Sequence, residues 1–296
     1  MSKVGVIGAG KWGSALAFAL SEKNDVFITS RTPRNIDNFV SLEEILELEY
    51  LVIAIPAQQV SSWLKENFVF KNQKILVAAK GIEAKSGKFL NEIYSEYVPD
   101  ENISFLSGPS FAVEVIQSLP TALVVNAVNE EVSEKFASFF PSFIKTYTST
   151  DIAGAEVAGA YKNVIAIAAG ICEGLSLGKN AAAALISRGL VEMQRFGKVY
   201  GAKEESFVGL SGAGDLFLTA SSTMSRNFRV GLGLAEGKTQ EEILDDLGEV
   251  AEGIGTTYAL HEIAAQKDLY LPIAHEVYEL LEGKDPHISL RDLLSS

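Results

Sequence analysis

The sequence predicts an α/β fold, with a doubly wound parallel sheet in its N-terminal half and an all-helical C-terminal half. Two observations predict this. Short runs of strand-forming residues alternate with helical stretches over residues 3–148, which is the pattern of parallel βαβ units. Beyond about residue 150 the alternation stops, and Ala-rich segments with helical periodicity replace it.

Several of the predicted strands are nearly continuously apolar, as expected when helices cover both faces of a sheet. They lie at residues 4–7, 26–29, 51–55, 75–79, 103–106, 122–125 and 143–147. The main helical segments of the second half lie at residues 154–170, 181–200, 252–266 and 273–281. We therefore place one domain at residues 1–150 and a second at residues 151–296, without a low-complexity linker between them.

The composition is that of a folded protein with enough chain for two cores: 296 residues, of which 47% are hydrophobic and 21% charged. Cys172 is the only cysteine, so no internal disulfide can form, which suits a reducing compartment. No basic segment with a long apolar run follows the N-terminal Met-Ser-Lys, so we expect no secretion signal. The most apolar later stretch, residues 164–172, is shorter than the roughly 20 residues of a membrane span. We therefore expect a soluble, cytoplasmic protein.

The formal net charge of −13 excludes nucleic acid and anionic membranes as general partners, because both reward a broad basic face. An anionic small molecule stays open as a ligand. It requires a local cationic pocket in an acidic surface, so the positions of a few Lys and Arg residues are informative.

The loop at residues 8–13 carries the clearest functional signal. Gly8, Gly10 and Gly13 match the spacing G-x-G-x-x-G, directly after the first strand and at the start of a predicted helix over residues 11–21. The glycines permit a tight turn, a close approach to a pyrophosphate and close packing of helix on strand, and the helix N-terminus offers free N–H groups. This context predicts a Rossmann-type NAD(P) site, the alternative being a glycine-rich turn without ligand. Trp12 fits either the site or core packing.

The segment after the second strand favours NADPH over NADH. An NAD site usually ends this strand with Asp or Glu, which binds the ribose 2′-hydroxyl. Here the strand continues instead into Arg31, Thr32 and Arg34, which suit the 2′-phosphate of NADPH by charge and hydrogen bonding. The alternative is that both arginines are solvated loop charges.

Two lysines are the candidates for chemistry. Lys162 lies in a helix so apolar that burial is expected to lower its pKa into the range of general acid–base catalysis, unless its side chain snorkels out to solvent. Lys80 follows the strand at 75–79, at the carboxyl edge of the sheet where such folds bind ligands. His261, His275 and His287 lack metal-ligand spacing, so we expect surface positions or interhelical packing for them and no metal.

Three compact polar stretches add candidate ligands. Residues 108–112, Gly-Pro-Ser-Phe-Ala, follow a strand end, and residues 211–215 end on Asp215, which we expect near a lysine or a substrate hydroxyl. Residues 225–227 include Arg226, which can bind a phosphate bidentately, and Asn227, a neutral donor. The alternative for each is a helix start or a helix cap.

Taken together, these motifs resemble the bacterial NAD(P)-dependent glycerol-3-phosphate dehydrogenases. The matching stretches occur in the family's order along nearly the whole chain. They lie at residues 8–13, 80–83, 108–112, 162–166, 212–215, 225–227 and 250–253.

The resemblance implies interconversion of dihydroxyacetone phosphate and sn-glycerol 3-phosphate by hydride transfer with NAD(P)H, which supplies glycerol phosphate for phospholipid synthesis. Lys162 matches the family's proton-transfer residue. The positions that match substrate contacts are Lys80, Gly108, Ser110, Lys162, Asp215, Ser225, Arg226 and Asn227, with Arg226 and Asn227 as the phosphate clamp. The positions that match cofactor contacts are Gly8, Gly10, Lys11, Trp12, Gly13, Arg31, Lys80, Gly108, Ala112, Arg226, Val250 and Glu252. The resemblance also implies a cytoplasmic location and allows a homodimer.

This sequence departs from the family pattern in three places. The segment at residues 31–50 is shorter than in most relatives, Phe228 stands where many members have an arginine, and the C-terminal helix is brief. One rival interpretation is a β-hydroxyacid dehydrogenase, but that family places its Asn one helical turn after the lysine. Here Asn163 is adjacent to Lys162, and Ala166 stands one turn on. A second rival is a non-catalytic NAD(P) sensor, which would bind cofactor and never turn over.

Overall fold

The computed structural model describes residues 1–295. Its strands are β1 (Lys3–Ile7), β2 (Asp25–Thr29), β3 (Tyr50–Ile53), β4 (Lys74–Val77), β5 (Ile82–Glu83), β6 (Lys88–Phe89), β7 (Ile103–Ser107), β8 (Thr121–Ala127) and β9 (Ile144–Ser149). The helices between them are α1 (Lys11–Ser21), α2 (Leu42–Ile45), α3 (Val60–Asn67), α4 (Leu90–Tyr94), α5 (Ala112–Ile116) and α6 (Glu130–Phe139). Short 3-10 turns lie at Ala57–Gln59 and Asp100–Asn102.

The C-terminal half is helical, as predicted. Its helices are α7 (Ile152–Gly174), α8 (Gly178–Val199), α9 (Glu204–Val208), α10 (Asp215–Ala220), α11 (Arg226–Ala235), α12 (Gln240–Leu247), α13 (Glu252–Lys267), α14 (Pro272–Leu281) and α15 (Pro286–Ser295), with a π-helical turn at Leu210–Gly214. Strand β9 and helix α7 flank the predicted domain boundary at 150/151; the division into two domains stays a prediction.

Seven strands form one sheet in the order β2-β1-β3-β4-β7-β8-β9, which confirms the predicted Rossmann-type fold class. The strands from β2 to β7 are mutually parallel, but β8 runs antiparallel to β7, and β9 is parallel to β8. The prediction of a parallel sheet is therefore wrong for the last two strands. Helix α5, between β7 and β8, has five residues and spans only about 7.5 Å. A strand of five residues spans about 17 Å, so α5 is too short to carry the chain back along β7.

The sheet has its topological switch point at β1, which pairs with β2 on one side and with β3 on the other. Connections leave the carboxyl ends of β1 and β3 in opposite directions, and the crevice between them is where such folds bind ligands. The short 31–50 segment contains only α2 and an isolated bridge between Ile28 and Phe39, so β2 lies at the edge of the sheet.

Helix α7 is the centre of the helical half. It is buried from Gly154 to Cys172 and packs against α8, α10, α11 and α13 and against strand β7. By length and composition this helix is apolar enough to cross a membrane, with a mean hydropathy of 1.2. Its whole apolar stretch is, however, buried inside the protein. Gly170 and Gly231 let α7 and α11 meet backbone to backbone: a Cβ on Gly231 would lie 2.0 Å from the Ile167 carbonyl oxygen.

Gly13 should be irreplaceable for packing, whereas its neighbour Gly10 should not. A Cβ on Gly13 would lie 1.8 Å from the Gly8 carbonyl oxygen, but a Cβ on Gly10 would have nothing within 4 Å. We expect Gly13→Ala to lower the free energy of unfolding by about 1–3 kcal/mol, and Gly10→Ala to change it by less than about 0.5 kcal/mol, measured by urea denaturation. Equal losses in the two variants would contradict this account of the turn.

Candidate active site

Two lysines and one aspartate meet in the interface between the sheet and the helical half. Asp215 begins α10, Lys162 lies in the middle of α7, and Lys80 lies three residues beyond β4. The Lys80 Nζ is 2.6 Å from Asp215 Oδ2, and the Lys162 Nζ is 3.0 Å from Asp215 Oδ1. Lys80 also donates to the Gly108 carbonyl oxygen at 3.1 Å. The predictions that Lys80 lies at the carboxyl edge of the sheet and Asp215 beside a lysine are confirmed.

Lys162 is buried, so the alternative in which it snorkels to solvent is wrong. Only 8% of the residue is exposed, and its Nζ donates to the Thr219 hydroxyl at 2.8 Å as well as pairing with Asp215. Burial lowers the pKa of Lys162 to about 8, although the Asp215 carboxylate acts in the opposite direction. A lysine with this pKa exchanges its proton near neutral pH, as a general acid or base must.

Asp215 stays ionised because of its two lysines. Burial by itself raises the pKa of Asp215, but the charges of Lys162 and Lys80 outweigh burial and hold the pKa below its usual value. One carboxylate between two ammonium groups leaves one excess positive charge. This local charge favours an anionic ligand despite the acidic surface of the chain.

Thr219 is a residue that the sequence analysis missed. Its hydroxyl donates to the Asp215 carbonyl oxygen at 2.6 Å and accepts from Lys162, so it fixes the direction of the ammonium group. The only signal in the sequence is the four-residue spacing from Asp215, which places both on one face of α10. The π-helical turn at Leu210–Gly214 precedes Asp215, and such turns are frequent at functional sites.

Ser225 and Asn227 use their side chains mainly within the protein. The Ser225 hydroxyl accepts from the Phe228 N–H at 3.2 Å, which caps α11 as the alternative interpretation expected. The amide of Asn227 donates to Asn163 Oδ1 at 2.9 Å and accepts from the Gly253 N–H at 2.9 Å. Asn227 therefore joins α7, α11 and α13 at the site.

Glu249, which the sequence analysis did not single out, lies between two candidate anion-binding residues. Its carboxylate pairs with the Lys11 ammonium, and its second oxygen is 3.5 Å from the Arg226 Nη1. Lys11 begins α1 and Arg226 begins α11. The starts of α1 and α11 thus face the same carboxylate.

The glycine loop has the form that a dinucleotide requires. Gly8 has a φ of +111°, which favours glycine, and α1 begins without a side-chain cap or an acidic residue in its first turn. Its first N–H groups are therefore available to phosphate oxygens, and open space beside Gly10 leaves room for the close approach of a pyrophosphate. Trp12 is partly buried, and its Nε1 donates to the Ala78 carbonyl oxygen at 3.1 Å. The polar edge of its ring is therefore used in packing, as the alternative interpretation expected.

Glu252 lies across the crevice at the carboxyl ends of β1 and β3, and its side chain reaches the loop after β3. Its Oε1 accepts from the Ala57 N–H at 3.2 Å, while its Oε2 is buried without a hydrogen-bond partner in the described part of the chain. Burial raises the pKa of Glu252 to about 7. An unpartnered buried carboxyl oxygen at the switch point fits a donor group on a bound dinucleotide.

The remaining candidates lie around this centre at different depths. Ser110 is partly buried, and its hydroxyl donates to the Gly108 carbonyl oxygen at 3.3 Å. Ala112 begins α5, Val250 is 44% exposed before α13, and Arg31 is exposed after β2. The histidines take the surface or interhelical positions expected of them. The His261 ring is partly buried and stacks on Tyr278 with 3.6 Å between ring centroids and on His275 at 6.0 Å, whereas His275 and His287 are exposed.

A Rossmann sheet with this glycine loop, together with a buried lysine of lowered pKa near the carboxyl edge of the sheet, is typical of a dinucleotide-dependent dehydrogenase. Models of the N-terminal and C-terminal parts of NAD-dependent glycerol-3-phosphate dehydrogenase match residues 27–133 and 151–291. The chain belongs to the NAD-dependent glycerol-3-phosphate dehydrogenase family. It is an NAD(P)-dependent oxidoreductase that interconverts glycerol 3-phosphate and dihydroxyacetone phosphate, as the motifs predicted.

Individual relatives agree over the full length. The chain is 82% identical to glycerol-3-phosphate dehydrogenase (NAD(P)+) of Sulfurimonas denitrificans, with 100% of both chains covered. It is 60% identical to the enzyme of the same name from a Nitratiruptor species, covering 99% of this chain and 98% of that one. Among solved structures, glycerol-3-phosphate dehydrogenase of Coxiella burnetii superposes with a TM-score of 0.90 at 32% identity, covering 100% of this chain and 99% of the other.

The buried charge of Lys162 should leave a signature in the pH dependence of stability. Its pKa is about 8 in the folded protein and about 10.4 in an unfolded chain, so between these values the unfolded state binds more protons. The free energy of unfolding should therefore rise with pH from about 8 to 10. Relative to Lys162→Met, we expect the wild type to gain up to about 3 kcal/mol in urea denaturation over this interval. Parallel pH curves for the two proteins would show that Lys162 is not titrating in this range.

Proposed function

We propose that Lys162 is the catalytic acid–base residue of this dehydrogenase, and that the carboxyl edge of the sheet holds the cofactor opposite it. The observation that carries the proposal is the buried Lys162–Asp215–Lys80 cluster, since Asp215 is 2% exposed and pairs with both lysines. A buried ammonium group beside a ligand crevice provides a proton to an oxygen that gains negative charge.

The proton step follows from this geometry. When bound, NAD(P)H supplies the hydride that reduces the C2 carbonyl of dihydroxyacetone phosphate. Lys162 donates its Nζ proton to the C2 oxygen, which yields the alcohol and a neutral amine. In the direction of oxidation the neutral amine takes the proton of the C2 hydroxyl. Thr219 and Asp215 hold the nitrogen in place in both directions.

The substrate is held by the groups that surround Lys162. Lys80, paired with Asp215, provides a second cation, and the Ser110 hydroxyl and the Gly108 backbone lie beside Lys80. Arg226 is the arginine of the phosphate clamp, because it begins α11 and adds the positive end of that helix to its own charge. We expect Asn227 to orient this clamp through Asn163 and Gly253, and Ser225 to do so by capping the helix.

The cofactor lies across the switch point in this proposal. The backbone of residues 8–13 binds the pyrophosphate, with Lys11 and Trp12 at the start of α1. Glu252 and Val250 contact it from the helical half, and Ala112 and Lys80 from the sheet edge. Arg31 at the end of β2 reaches the adenine ribose and favours NADPH, while NADH remains a substrate. We further infer a cytoplasmic enzyme that supplies phospholipid synthesis, and a homodimer, from the resemblance.

Removal of the Lys162 amine should slow turnover strongly and leave cofactor binding intact. We expect Lys162→Ala to lower kcat for dihydroxyacetone phosphate by at least about 100-fold, since general acid–base catalysis contributes about 10²–10⁴. The wild-type rate of reduction should fall as pH rises through about 8, where Lys162 loses its proton, and the rate of oxidation should rise. NADPH absorbance measures both. Lys179→Ala, which removes an exposed lysine paired with Glu173, is the control. An undiminished rate in Lys162→Ala would show that Lys162 is not the acid–base residue. A folded wild type without turnover would contradict the proposed reaction.

Arg31 should discriminate between the two cofactors. A charge-assisted hydrogen bond to the 2′-phosphate contributes about 1.5 kcal/mol or more, so Arg31→Ala should raise the Kd of NADPH about tenfold and leave that of NADH unchanged. Fluorescence titration with each cofactor measures this. The control is Lys65→Ala on α3, which removes one exposed charge elsewhere in the same half. Identical effects on both cofactors would support the alternative that Arg31 is a solvated loop charge.

A further inference from the structure

Three cations surround one carboxylate where the start of α11 approaches the start of α1. Lys11 and Arg226 both pair with Glu249, and Arg229, one turn after Arg226, adds its charge. The hydrogen bond from Lys11 and the charges of Lys11, Arg226 and Arg229 together lower the pKa of Glu249 despite its partial burial. The Arg229 Nε is buried and has no hydrogen-bond partner among the residues that the structure describes. We refer to Lys11, Arg226 and Arg229 as the cationic cluster.

The cationic cluster carries two more positive charges than Glu249 neutralises, in a chain whose net charge is −13. It also lies at two helix N-termini, because Lys11 is the first residue of α1 and Arg226 the first of α11. The positive end of a helix adds to such a site. The chemistry of the cluster therefore fits a phosphate dianion.

The ion pairs of Glu249 are accessible to solvent, and therefore to a competing anion. The contact of Glu249 with Arg226 is a single approach at 3.5 Å rather than a bidentate pair, and 26% of the Glu249 side chain is exposed. The Lys11 side chain is 76% exposed, so solvent screens that pair. A phosphate group accepts two parallel hydrogen bonds from an arginine and carries a larger charge than a carboxylate.

We propose that Glu249 is a specificity-determining residue: its carboxylate is the internal counter-ion of the cationic cluster, and a phosphate-bearing ligand has to displace it. The assignment of the reaction to this cleft rests on the proposed function. The ion pairs of Glu249 are observed independently of it. Displacement of Glu249 weakens the binding of every ligand whose phosphate enters the cluster. A neutral ligand leaves Glu249 in place. Glu249 therefore reduces the advantage of a phosphorylated ketone over the same ketone without phosphate.

The test compares Glu249→Gln with Asp246→Asn. The first variant keeps the shape of the side chain and removes the counter-charge. The second removes one negative charge three residues earlier, from an exposed aspartate that pairs with Lys238 outside the cluster. Each exposed ion pair contributes about 0.2–1 kcal/mol, so the loss of two pairs predicts about a two- to thirtyfold gain in affinity.

Four measurements use this pair of variants. Isothermal titration of the unliganded protein with inorganic phosphate should give a lower Kd in Glu249→Gln. Titration with NADPH alone reports displacement by the cofactor pyrophosphate, and kcat/KM for dihydroxyacetone phosphate at saturating NADPH reports displacement by the substrate phosphate. For unphosphorylated dihydroxyacetone, kcat/KM should stay unchanged, as should all four values in Asp246→Asn.

The outcomes separate this inference from the proposed function. Weaker or unchanged phosphate binding in Glu249→Gln overturns the inference, and weaker binding would mean that the carboxylate orients Lys11 and Arg226 for their ligands. An equal gain in Asp246→Asn also overturns it, because the effect would then be one of overall charge. A wild type that does not reduce dihydroxyacetone phosphate would contradict the proposed function. The titration with inorganic phosphate would still decide the role of Glu249.

Discussion

The contact on which the site depends is the carboxylate of Asp215 between the ammonium groups of Lys162 and Lys80. A lysine as deeply buried as Lys162 costs several kcal/mol unless a counter-ion compensates it. Asp215 compensates two such cations at once, one from the helical half and one from the edge of the sheet. Burial, and to a smaller extent the charge of Lys80, lowers the pKa of Lys162 although Asp215 acts in the opposite direction. The excess positive charge of the cluster attracts an anion. One ion-pair cluster thus joins the two halves and surrounds the lysine that we propose as the acid–base group.

Packing around α7 makes this cluster possible. Gly159, one turn before Lys162, lets the aliphatic part of Lys80 cross the helix: a Cβ at that position would lie 3.2 Å from Lys80 Cδ. Gly170 and Gly231 let α11 lie directly on α7, which places Arg226 and Asn227 near Lys162. The apolar residues of α7 make it resemble a membrane-spanning helix, and its glycines allow other elements to approach it closely.

One wall of the cleft between the two halves is the closely packed glycine loop, and the opposite wall carries two glutamates. In the glycine loop, Gly13 packs against Gly8 and α1 begins at a fixed place. On the opposite wall, Glu249 lies just before α13 and pairs with Lys11 and Arg226, and Glu252 begins α13 and accepts from the Ala57 N–H. A paired carboxylate and a carboxyl group whose pKa burial raises to about 7 therefore lie in the same short segment.

The sequence alone determined the fold class, the cofactor loop and the chemical type of the site. Strand and helix periodicity, the spacing of Gly8, Gly10 and Gly13, and a lysine in an apolar helix are local signals, because each depends on neighbours in the chain. The reversal of β8, the hydrogen bond from Lys162 to Thr219 and the position of Glu249 were decided only by the tertiary structure. Each of these depends on distances between segments far apart in sequence, such as the 238 residues between Lys11 and Glu249. Chain periodicity carries no information about which distant charges come to face one another.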